Sequence, residues 1–107
     1  MGDAATKLAI GETSTTTYVR TVDSGDGISF TLYGTAGPAS VTAVVDFSDH
    51  PDCVDGTAKY FGADYATTMT VSGNVSDVLQ IANVESNYVR IVVTVAGGAF
   101  DLYYTNG

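Results

Sequence analysis

Tryptophan is absent from this chain, cysteine and histidine occur once each, proline twice, and only four of its 107 residues are basic. Each scarcity excludes something. A lone Cys53 leaves no internal disulfide framework. Without a cysteine pair or a tryptophan, the hallmarks of an immunoglobulin core are missing. One histidine and one cysteine with no further soft ligand nearby do not make a zinc site. Four bases against twelve acids leave a net charge of −8. That field repels phosphate backbones and anionic membranes, so neither nucleic acid nor membrane is a natural partner. Helix formers are few: two Lys, two Arg, two Glu and one Gln. No apolar run approaches the roughly 20 residues of a membrane-spanning helix. The start, Met1 to Ile10, has no basic stretch followed by an apolar one, so the expectation is no signal peptide and synthesis in a cytoplasm.

What is plentiful points to strands. Thr and Val are common, and there are seven Tyr, four Phe and twelve Gly. β-Branched and aromatic side chains suit a pleated, half-buried surface. The length fits one domain, residues 1–107, with no linker or repeat. Alternation predicts strands at Leu8–Ile10, Thr16–Val22, Ile28–Tyr33, Val41–Phe47 and Tyr65–Val71. Val75–Ile81 fits a strand or a short helical turn after Ser76. Gly34–Pro38 reads as a turn joining two of these strands. At the end, Gly97-Gly98 separates NYVRIVVTVA from AFDLYYT, the pattern of a two-residue hairpin. Pairing outwards sets Val95 against Phe100, Val93 against Leu102 and Ile91 against Tyr104. The expectation is therefore all-β: an antiparallel β-sandwich or jelly-roll-like fold of seven to eight strands, closed by a C-terminal hairpin turning at Gly97-Gly98.

Chemistry-bearing residues are sparse. Asp46, Asp49, Asp52 and Asp55 recur every third residue with Gly56 after them, which makes them the calcium candidates. The spacing departs from the EF-hand loop, and Asp in turns is ordinary loop chemistry. Asp23 and Asp26 form a weaker candidate of the same kind. His50 lies near Cys53 and several Asp in a polar stretch, without the fixed triad spacing that nucleophilic catalysis would require. No catalytic residue and no cofactor-binding residue is assigned, and the chain reads as a non-enzyme. The tyrosines carry more. Tyr33, Tyr88 and Tyr103 fall on the outward face of their strands, with Val44, Arg90 and Val92. Either part of the same chain covers them or a partner does. Tyr33, Tyr88, Arg90, Val92 and Tyr103 are the interface candidates.

Tyr88-Val89-Arg90-Ile91, Gly97-Gly98 and Leu102-Tyr103-Tyr104, within the last 37 residues, resemble the closing segment of small virion proteins of tailed bacteriophages. Those proteins end in an aromatic-x-Arg-aliphatic strand, a Gly-centred turn and a strand carrying Tyr. The resemblance implies a non-enzymatic β-sandwich in a virion, a capsid decoration or stabilisation protein. Its partners would be the major capsid protein, other virion proteins and copies of itself. Discoidin-like carbohydrate-binding sandwiches share the Tyr-Val-Arg-Ile strand. They supply the alternative, a carbohydrate-binding module of a fibre or adhesin.

Overall fold

The computed structural model describes residues 6–23, 25–56, 58–61 and 67–106, without the side chains of Pro38, Ala58 and Thr67. It contains six strands: β1 (Thr6–Glu12), β2 (Thr16–Thr21), β3 (Ile28–Ser48), β4 (Thr67–Ser72), β5 (Ser76–Ile81) and β6 (Tyr88–Asn106). Two short 3-10 turns, Pro51–Asp55 and Ala58–Tyr60, lie between β3 and β4. Every strand pairing is antiparallel.

β3 and β6 organise the molecule. They run 21 and 19 residues and pair along their length, from Ile28 opposite Asn106 to Ser48 opposite Tyr88. Their register breaks between Gly34 and Val41. Across the break β3 advances seven positions and β6, from Phe100 to Val95, advances five. Both advances are odd, so the side-chain alternation inverts in both strands. Positions 28, 30 and 32 are buried before the break, and 41, 43 and 45 after it. In β6 the buried positions are 89, 91 and 93, then 100, 102 and 104.

The ribbon thus turns a corner and serves two sheets. The first holds β1, residues 99–106 of β6, residues 28–36 of β3, and β5. The second holds β2, residues 88–95 of β6, residues 41–48 of β3, and β4. Phe30, Leu32, Phe100 and Leu102 from the first sheet join Val41, Val45, Met69, Ile91 and Val93 from the second in one core cluster. The inner faces therefore meet, as in a sandwich. The shortest dimension, 20 Å, is what two layers about 10 Å apart plus their outer side chains occupy. Inside, Phe30 and Tyr104 pack with ring centroids 5.0 Å apart. Burial pushes the Tyr104 hydroxyl up to about 12.

The all-β antiparallel sandwich is as the alternation requires, and eight strand segments arise from six strands. Both expected hairpins are corrected. β6 passes through Gly97-Gly98 without reversing. Val95 faces Val41 and Phe100 faces Gly34, where the hairpin would have set them against each other. A primed turn of type I′ needs positive φ at both central residues, and only Gly98 has it, at 73°. A Cβ on Gly98 would run into the Ala36 carbonyl and lie 2.7 Å from the Ala39 Cα. Gly98 lets β3 come close at the corner. Gly34–Pro38 is the matching bend of β3, where a Cβ on Gly34 would strike the Gly73 carbonyl. Val75–Ile81 resolves as a strand, β5. The predicted strand Tyr65–Val71 is described from residue 67, its first part lying outside the described residues.

Candidate functional site

The two outer faces of the sandwich differ. On the second sheet, outward Asp46 and Arg90 are cross-strand neighbours. They form a bidentate pair, with Arg90 Nε donating to Asp46 Oδ1 at 2.9 Å and Nη2 to Oδ2. The segment carrying the two 3-10 turns folds over this pair. Arg90 Nη1 donates to the Gly56 carbonyl at 3.0 Å, and its guanidinium sits 4.4 Å from the centre of the Phe61 ring. Phe61 and Cys53 are buried beneath the segment. Of the interface candidates, Arg90 is thereby spent on an internal contact. Its long stem and fixed fork suit this: a charge removed from water needs its hydrogen bonds met. Tyr88 and Val92 are half-buried on the same face, beside Thr21 and Thr17 of β2.

No segment of comparable kind lies over the first sheet among the described residues. Its outer face is a grid set by register. One row runs Lys7, Tyr103, Thr31, Val78 across β1, β6, β3 and β5. The next has Asp101, Tyr33 and Ser76. On the other side lie Thr105, Ser29 and Gln80. Tyr33 is 41% exposed and Val78 53%. Tyr33 and Tyr103 touch edge to face, centroids 5.8 Å apart at 89°. Asp101 Oδ1 accepts from the Gly11 amide at 2.7 Å, which ties β1 to this face.

The four calcium candidates do not converge. Asp46 is paired with Arg90, Asp49 Oδ1 accepts from the Asn87 amide at 2.7 Å, and the Asp52 amide donates to His50 Nδ1 at 3.0 Å. Asp55 is engaged as well. Among the described residues no three His, Cys, Asp or Glu side chains come together as metal ligands. His50 caps the first 3-10 turn and stacks on Tyr60 at 4.1 Å. Its ring is used locally, and Cys53 is fully buried.

Two concavities lie at the end of the sandwich away from the corner. The larger, about 430 Å³, opens between the layers and is lined by Phe47, Ile81 and Val84 with Asp49 and Glu85 at hand. The smaller, about 230 Å³, lies on the outer face of the first sheet, among Ser29, Gln80, Ile81 and Thr105. Sequence reasoning placed Tyr33 and Tyr103 outward. It missed Val78 and Gln80 near them, because Val75–Ile81 also suits a helical turn. The alternation of Val78 and Gln80 with Leu79 and Ile81 was the available signal.

No protein-family model and no curated protein matches this chain. Among solved structures it is similar to TmCBM61 in complex with β-1,4-galactotriose, with 18% identity and a TM-score of 0.39 over 84% of this chain. The chain spans 56% of that protein's length. It is also similar to a CBM4 structure, with 11% identity and a TM-score of 0.43 over 97% of this chain and 68% of the other. Both neighbours are carbohydrate-binding modules.

Proposed function

We propose that this chain is a non-catalytic β-sandwich that binds carbohydrate on the outer face of its first sheet. The observation that carries the reading is the Tyr33–Tyr103 pair on that open face. An aromatic ring offers an apolar surface to the C–H side of a sugar, and a phenol adds a hydrogen-bond partner at its rim. Thr31 and Asp101 beside the rings supply the polar contacts that fix orientation, as small-ligand sites require. On the opposite outer face the segment covers Asp46 and Arg90, and the exposed residues Thr42, Val44, Thr68, Thr70 and Thr94 include no aromatic ring.

The test is a glycan array probed with the full chain, with and without calcium, followed by titration calorimetry on the best ligand. Tyr33→Ala is expected to weaken binding by about tenfold or more, the scale of a binding hot spot. It should cost folding about 1 kcal/mol, since the ring lies outside the core and loses only its edge contact with Tyr103. Silence of the array under both conditions overturns the proposal.

A second reading is a subunit held by contacts with its neighbours, as in a virion, and one observation favours assembly. Val75 and Val78 are 54% and 53% exposed at or beside β5, which pairs as a strand only with β3 among the described strands. An edge strand with apolar side chains invites pairing with another chain. Light scattering separates the readings. A closed oligomer that Val78→Lys converts to monomer favours assembly, and a glycan-binding monomer favours the first reading.

A further inference from the structure

The outward positions beside the tyrosine pair continue along the strands into the smaller concavity. On β3 they are 33, 31 and 29; on β6 they are 101, 103 and 105; on β5 they are 76, 78 and 80. From Tyr33 to Ser29 the chain advances ~13 Å at the usual rise of a strand, more than the width of one pyranose ring. The groove of about 230 Å³ at the far end is lined by Gly27, Ser29, Gln80, Ile81 and Thr105, among others, with no charged side chain. We infer that this face binds an extended, uncharged oligosaccharide lying along β3, one part on the tyrosine pair and the next in the groove between Ser29, Gln80 and Thr105. The inference rests on the carbohydrate reading of the tyrosine pair.

Three observations select that ligand class. Hydroxyls of Ser29, Thr31 and Thr105 and the amide of Gln80 both donate and accept, so they match sugar hydroxyls of either sense. In the groove they offer no full charge to an acidic or basic sugar, while Lys7 and Asp101 at the tyrosine end are of opposite sign and select neither. The protein's net charge of −8 repels uronates and sulfated chains at long range. The groove is also built in advance. Asn106 accepts from the Asp23 amide and donates to the Gly27 carbonyl, each at 3.2 Å. Val84 is bonded to Asp26 and Gly25 through the backbone, at 2.9 and 2.7 Å, which locks the loops at this end together. Gly27 leaves room there, since a Cβ would sit 3.3 Å from the Ile81 carbonyl oxygen. A preformed groove avoids the ordering cost of binding.

The experiment is calorimetric titration of the full chain with neutral linear β-1,4-gluco- and galacto-oligosaccharides, from disaccharide to hexasaccharide, and with oligogalacturonides as acidic comparators. Affinity is expected to rise about tenfold from disaccharide to tetrasaccharide and then level off, one well-made set of hydrogen bonds being worth about that factor. Gln80→Ala and Ser29→Ala should each cut tetrasaccharide affinity about two- to tenfold and leave the disaccharide unchanged. Tyr33→Ala should weaken both lengths. Affinity independent of length, equal losses at both lengths in the groove variants, or equal binding of the uronides overturns this inference and leaves the carbohydrate reading intact. Absence of binding at every length by the unmodified chain overturns the carbohydrate reading itself.

Discussion

Gly98 and Gly73 have the same backbone handedness, with φ of 73° and 87°, but opposite surroundings. Nothing lies within 4 Å of a Cβ built on Gly73, whereas one on Gly98 meets the backbone of Ala36 and Ala39. Gly73→Ala should therefore cost about 1–2 kcal/mol, the price of a left-handed alanine. Gly98→Ala should cost at least ~2 kcal/mol more, because backbone at the corner has no rotamer to escape into. Urea midpoints of the two variants check this, and equal costs would mean the corner yields freely. Residues of this kind were only half legible. The outward direction of Tyr33 and Tyr103 follows from alternation alone. The fate of Arg90 does not, since Asp46 lies 44 positions away in the chain and Phe61 arrives from a segment with no periodic signature.

The segment of the two 3-10 turns shows how an irregular element acquires a place. His50 accepts the Asp52 amide and Pro51 opens the first turn, so its local shape is set by neighbours in sequence. Its docking is set from outside, by the guanidinium of Arg90 under Gly56 and Phe61. Cys53 reports on that docking because it is fully buried there. A thiol reagent is expected to label the native protein only through local opening. Phe61→Ala, which removes the ring stacked on Arg90, should speed labelling about tenfold or more, measured under conditions where the unfolded protein reacts at once. Rapid labelling of the unmodified native protein would show that the segment does not hold its cover. β5 teaches the same lesson in reverse. Its six residues fit two local structures, and pairing of Ile28–Tyr33 with Ser76–Ile81 selects the strand.

At the scale of the whole molecule, β3 and β6 belong to both sheets, and the first and last strands meet, Thr6 opposite Tyr104. Neither sheet can lose its central ribbon and leave the other whole. Thermal or urea unfolding should accordingly be a single transition, with far-ultraviolet dichroism and tyrosine fluorescence superimposable. Two separated transitions would count against a shared ribbon. The sequence by itself determined the strand-rich composition, the antiparallel alternation and the membership of the core, since a period of two sorts side chains by face wherever the strand lies. It also determined that Tyr33 and Tyr103 point outward. Only the tertiary structure decided that Gly97-Gly98 bends one strand without joining two, because a glycine pair permits either and contacts with Ala36 and Ala39 settle it. Only the tertiary structure decided, too, that the irregular segment covers Asp46 and Arg90, since that depends on pairing residues 44 positions apart.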